Sequence, residues 1–212
     1  MDTRKTLEPR ILEAAVRLFS RHGYHGASTR EIAKLADVHE TSMFRYFPRK
    51  EDLFCAALEF RLQRVRMRKE LQAAMTEGAR PETVIPLIFE QLVQIMSYEP
   101  ELVRLLSIGW LEMRPVTERI CREHLGPILS AISDYVASSA KEGKLRELDP
   151  SHVTAAFVST VLVHEGLHEL LTGQGLPYRN TGEAVSAYSN FWLDALLRVQ
   201  KALWAEQGEK LG

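Results

Sequence analysis

The residues best suited to chemistry lie between positions 29 and 50. Thr29 and Arg30 begin a helically spaced run, and His39, Glu40, Thr41, Ser42, Arg45, Tyr46 and Lys50 follow closely. Hydroxyls, a phenol, an imidazole and three cations suit phosphate oxygens and base edges rather than bond-making. Arg45 and Lys50 match a phosphate, the Tyr46 phenol can donate to one, and Thr41 and Ser42 can serve either target. Thr29 can cap a helix, contact a phosphate, or do both. Glu40 can accept from a cytosine amino group, or it can be a solvated acid at a helix start.

A second constellation, His164-Glu165-Gly166-Leu167-His168, matches the H-E-x-x-H pattern of zinc peptidases. Such a site needs a third ligand and an open coordination position. No histidine follows His168, which leaves Glu169 or Glu183 to serve. The motif lies in a long apolar helical stretch, so the expectation is core or interface histidines, with no metal, no cofactor and no enzyme activity. A zinc-dependent hydrolase built on His164, Glu165 and His168 stands as the alternative of another class. No Ser/His/Asp arrangement, glycine-rich phosphate loop or paired-cysteine site is apparent.

The first constellation depends on two short helices. Ile32, Ala33, Leu35 and Ala36 give the first an apolar side, Asp37-Val38 breaks the pattern, and Val38, Met43, Phe44 and Phe47 give the second an inward face. Two helices joined by so short a turn make a helix-turn-helix, whose second helix enters a major groove. Before them, residues 9–22 predict a supporting helix, with Pro9 at its start, Ile11, Leu12, Ala15, Leu18 and Phe19 at helical spacing, and Gly23 as a left-handed cap.

The spacing Thr29-x-x-Ile32-Ala33-x-x-Ala36-x-Val38-x-x-x-x-Met43-Phe44-x-Tyr46-Phe47-x-x-Lys50-Glu51-x-Leu53 resembles the DNA-binding module of the TetR family of bacterial repressors. Four positions depart from that family's pattern. Asp37 stands at the common turn glycine, His39 at a frequent serine cap, Thr41 at a small residue and Phe44 at a common tyrosine. Asp tolerates left-handed geometry, so the turn survives. The resemblance implies residues 1–54 as a three-helix DNA-binding domain and residues 55–212 as a helical effector-binding and dimerisation domain. It also implies a homodimer on a pseudo-palindromic operator, released when a small-molecule effector pivots the helix over 49–77. A ligand-independent regulator of the same fold is the closer alternative.

Composition agrees with this reading. Residues 1–70 carry 15 Lys/Arg against 10 Asp/Glu, and residues 71–212 carry 12 against 18. A basic first third joined to an acidic remainder fits a nucleic-acid-facing end on a different module. No apolar run is long enough to span a membrane, the opening MDTRKTLEPR lacks a signal segment, and the two cysteines read as reduced thiols, so a cytoplasmic protein is expected.

Beyond Gly78 the pattern stays helical over 81–97, 100–113, 116–142, 150–172 and 181–206, without strand alternation, and predicts an all-α bundle. Val185, Tyr188, Trp192, Leu196, Val199 and Leu203 form a seam at three- and four-residue steps. Phe191, Leu193, Leu197 and Trp204 add apolar residues beside it. That excess, with the resemblance, makes the seam the expected dimer interface. Phe89, Met96, Trp110, Met113 and Phe157 are the candidate lining of an effector pocket, although each reads more simply as ordinary core.

Overall fold

The computed structural model describes residues 3–172 and 178–197, with side chains over 7–164 and 178–197. Among these residues every regular element is a helix. They are α1 (Thr3–Gly26), α2 (Thr29–Leu35), α3 (Glu40–Tyr46), α4 (Lys50–Leu62), α5 (Lys69–Thr76), α6 (Pro81–Tyr98), α7 (Pro100–Glu112), α8 (Arg114–His124), α9 (Gly126–Lys141), α10 (Pro150–Thr172) and α11 (Thr181–Leu196). None of them is long and apolar enough to cross a membrane.

The chain forms two compact units, one from described residues of 1–66 and 94–129, the other from those of 67–93 and 130–212. The first therefore takes in α7 and α8 as well as the expected three-helix module, because Leu102, Leu105 and Ile120 join the core built by α1 and α4. Its centre is aromatic: Phe19 meets Phe54 edge-on at 5.2 Å between ring centroids, and Tyr24 meets Phe54 at 5.6 Å. The stripe Ile11, Leu12, Ala15 and Phe19 lines α1 as its spacing predicts. The helix starts before Pro9, however, and kinks at Gly23, where φ is 74° and ψ 176°. Gly23 thus takes a positive φ but not the left-handed helical geometry expected of a cap.

One continuous helix over 49–77 is not formed. The N–H groups of Arg64 and Val65 close tight turns onto the carbonyls of Arg61 and Leu62, and α4 ends there. The helix expected over 116–142 also divides, at Leu125 before Gly126-Pro127, since proline offers no N–H and crowds the preceding turn.

The arginines near the end of α4 serve the protein rather than a nucleic acid. Buried Arg61 donates to Glu13 of α1 at 2.9 Å and to Glu101 of α7 at 2.6 Å, with Glu99 3.7 Å away. Arg64 also pairs with Glu13. One guanidinium thereby holds α1, α4 and the start of α7 together, and a buried arginine stripped of its acids would be left uncompensated.

In the second unit, Phe89 packs edge-on against Phe157 at 5.3 Å and beside Tyr188 at 5.7 Å, and Phe157 meets Trp192 at 5.1 Å. The Tyr135 hydroxyl donates to the Ala79 carbonyl at 2.8 Å, fixing the approach to α6.

Close packing sets one limit on α7. A Cβ at Gly109 would lie 2.4 Å from the Thr117 Oγ1 and 3.0 Å from its Cγ2. Gly109→Ala is expected to cost about 1–3 kcal/mol of unfolding free energy in urea titration, as for other overpacked sites. Adding Thr117→Ala should recover part of that loss.

Both cysteines are free and half-buried. Burial, helped by Glu51, Glu59 and Asp52, pushes the Cys55 thiol up from 9.0 to about 11. Its stabilising contribution is complete below the unfolded value of 9.0 and is lost as the pH climbs from there through about 11. At pH 8 the folded protein should alkylate at Cys55 roughly a hundredfold more slowly than the urea-unfolded chain, measured by peptide mass spectrometry.

Candidate nucleic-acid interface

Helix α2 begins at a serine cap. Ser28 is extended, with φ −94° and ψ 142°, and its Oγ accepts from the Glu31 N–H at 3.1 Å. Thr29 is therefore the first helical residue and not the cap. Its hydroxyl donates to Glu40 Oε1 at 2.6 Å, across the helix-turn-helix. The proton expected to meet a phosphate is thus committed to α3.

The turn between the helices follows from Asp37, the one non-glycine residue with positive φ, 52°, among the described residues. Val38 N–H then reaches back to the Ala33 carbonyl at 3.0 Å. Arg10 of α1 clamps the turn, donating to the Ala36 carbonyl at 2.8 Å and the Asp37 carboxylate at 3.1 Å. Arg10 is not legible in the sequence as a site residue, because its partners lie 26 and 27 positions away.

Helix α3 starts from an extended His39, whose side chain makes no capping bond. Met43 and Phe47 are buried and anchor the helix to the core, as the pattern predicts. His39, Thr41, Phe44 and Arg45 are exposed, while Glu40, Ser42 and Tyr46 are half-buried. Phe44, expected inward, is 38% exposed, because the side of α3 turned to the core is that of Met43, Tyr46 and Phe47. On this face its ring suits a thymine methyl group. Leu35 of α2, also expected on the apolar side, is 46% exposed.

Arg30 is exposed at the start of α2. Lys50, the first residue of α4, sits over the Tyr24 ring at 4.8 Å and donates to the His25 carbonyl at 3.4 Å. Burial holds its pKa below the usual lysine value, and Glu112 partly offsets that shift. Beside it, Asp52 accepts from the Arg49 backbone N–H at 3.1 Å and from its guanidinium at 2.7 Å, which holds the carboxyl below the usual range and closes the start of α4.

The other predicted residues do not form one site. Phe89 and Phe157 are buried in the second unit, whereas Met96, Trp110 and Met113 belong to the first. Trp110 stands 60% exposed on α7 rather than lining an interior. Of the seam expected between subunits, Tyr188 and Leu196 are buried within the protomer. Trp192 is half-buried there and donates to the Thr160 hydroxyl at 3.1 Å, and Val185 is half-buried. Tyr188 and Trp192 are turned toward α10 within the protomer, against His164, Phe157 and Thr160. Phe191 on α11 and Leu162 and Val163 on α10 are the residues left exposed. Val199 and Leu203 lie outside the described residues.

His164 Nδ1 lies 2.5 Å from the Tyr188 hydroxyl, and its ring packs edge-on against Tyr178 and Tyr188. The side chains of Glu165 and His168 lie outside the described residues. Among the described residues no three His, Cys, Asp or Glu side chains gather to hold a metal ion.

Fold and site together define an all-helical helix-turn-helix protein. Residues 11–57 match the model of the bacterial regulatory proteins of the tetR family. Over 143 residues the chain is 30% identical to the HTH-type transcriptional regulator RutR of Escherichia coli, covering 68% of this chain and 66% of that relative, just short of two thirds. It is 27% identical over 152 residues to the HTH-type transcriptional repressor AcnR of Corynebacterium glutamicum, covering 72% and 76% of the two chains. Among solved structures, the fatty acid degradation regulator FadR of Bacillus halodurans superposes with a TM-score of 0.68 at 18% identity, over 89% of this chain and 95% of that one. Residues 11–57 are thus the DNA-binding helix-turn-helix of the tetR family, and over about two thirds of its length the chain is similar to that family's transcriptional regulators.

The turn yields a direct test. Asp37→Gly should preserve it, since glycine takes positive φ freely and the exposed pair with Arg10 is worth little. Asp37→Val should cost about 1–2 kcal/mol in urea unfolding, because a branched side chain resists that backbone region.

Proposed function

We propose that the protein is a transcriptional repressor that binds a pseudo-palindromic operator as a homodimer and leaves it when a small molecule binds the second unit. The observation that carries this reading is the split character of α3. Met43 and Phe47 lock it to the core, while His39, Thr41, Phe44 and Arg45 face outward, with Arg30 exposed on α2. A short helix fixed on one side and armed on the other is what major-groove reading requires. The relation to AcnR, named as a repressor, favours repression.

Dimerisation is assigned to the apolar side chains left uncovered on α10 and α11, Leu162, Val163 and Phe191. Two recognition helices reading half-sites one turn apart need roughly 34–36 Å between centres. An effector that favours another spacing then weakens binding. Its place is assigned to the aromatic cluster of Phe89, Phe157, Tyr188 and Trp192, where the His164 ring, the Tyr188 hydroxyl and Thr160 supply polar groups among the rings.

Selection of genomic DNA fragments by the purified protein, at stated salt, tests the reading. Enrichment of one two-fold symmetric site is expected, and retention without sequence preference would overturn it. On the selected site, Lys50→Ala should weaken binding and reduce the slope of log affinity against log salt by about one, the mark of one lost phosphate contact.

A further inference from the structure

We infer that Glu40, held in place by Thr29, selects a cytosine in each half-site, so that Thr29 is a positioning residue for base recognition rather than a phosphate contact. The inference rests on the DNA-binding reading above. Glu40 is the first residue of α3, at the end of the recognition helix whose side chains reach base edges. A carboxylate there repels phosphates, and among the described residues no basic side chain pairs with it. Such a charge is tolerable in a groove when a base supplies a proton, and cytosine N4 is the major-groove donor that an acid accepts from.

Geometry separates this from a merely solvated acid. The Thr29 hydroxyl gives Glu40 Oε1 a 2.6 Å bond, the length of a charge-assisted O–H···O⁻ contact. That bond comes from the neighbouring helix, 11 residues earlier, and fixes the carboxylate before any DNA arrives. A carboxylate has about four acceptor positions, so one bond on Oε1 leaves Oε2 to take a base amino proton. The rotamer entropy that a free glutamate would lose on contact is already lost in the folded protein. Thr29 can donate only one proton, and Glu40 has it.

The test is selection from random duplexes by the full-length protein at fixed salt, run with the wild type, Glu40→Ala, Glu40→Gln, Thr29→Val and Thr29→Ser. The wild type should fix a C·G pair at one symmetric position of each half-site. Glu40→Ala should lower the preference there by roughly fivefold or more while leaving the other positions unchanged. Glu40→Gln should move the preference toward adenine, which an amide reads on N6 and N7. Thr29→Val should blunt the cytosine preference, and Thr29→Ser, which keeps the hydroxyl, should restore it. A wild-type site whose base preferences survive Glu40→Ala overturns the inference and leaves the regulator reading standing. Uniform weakening at every position by both Thr29→Val and Glu40→Ala overturns it equally, since that marks a structural bond only. A wild type that enriches no site overturns both.

Discussion

The structure depends on a constraint of length. Helices α2 and α3 have seven residues each, well below the roughly 12–15 at which an isolated helix becomes marginal in water. Neither can hold its shape by backbone bonding alone. Their order comes from burial of Ile32, Ala33, Met43 and Phe47 against a platform that must itself be rigid. That platform is α1 packed on α4, with Phe19 and Phe54 at its centre and Arg61 of α4 binding acids of α1 and α7. The reading face is thus only as well placed as this aromatic and ionic joint allows.

The joint explains why the first compact unit is larger than a three-helix module. Leu102 and Leu105 of α7 complete a core that α1 and α4 leave open, and Glu99 and Glu101 at the start of α7 supply charge to Arg61. Gly109 lets α7 and α8 approach to a distance that any side chain would prevent. The arginine-rich run after Phe60 is accordingly a structural feature. Arg61, Arg64 and Arg68 of that run are paired with Glu13, Glu99, Glu101 and Glu90, so the basic character of the first third overstates what is free to meet DNA.

The local order of the module is legible in the sequence because its signals are local. Hydrophobic spacing places Met43 and Phe47 inside, and Asp37 marks the turn that it forms with positive φ. Contacts between distant residues are not legible. Arg10 on the turn, Thr29 on Glu40 and Arg61 on Glu101 join positions 26, 11 and 40 apart, and periodicity says nothing about such pairs. The α11 seam is the converse case. Its three- and four-residue steps correctly mark a packing face, but periodicity cannot tell a face buried within one chain from one buried between two. Phe44 misleads for a related reason: an aromatic residue at that spacing reads as core, although the side turned inward is that of Met43, Tyr46 and Phe47.

The charges of the reading face favour discrimination over raw affinity. Lys50 is partly withdrawn onto the Tyr24 ring and the His25 carbonyl, and Arg49 is engaged with Asp52. On the proposed reading face Glu40 adds a negative charge, which lowers attraction to any duplex whatever its sequence. Each feature weakens binding to random DNA, whereas base contacts gain only at a matching site. Specificity is a difference between those two free energies, so a surface that sets a fixed acid among its cations can discriminate well at modest affinity. With a formal net charge of −1 over the whole chain, long-range attraction to DNA is weak, and the proposed dimer gains its occupancy from two half-sites engaged together. A change in spacing between recognition helices would then remove most of the binding at once, which is the property a releasable repressor needs.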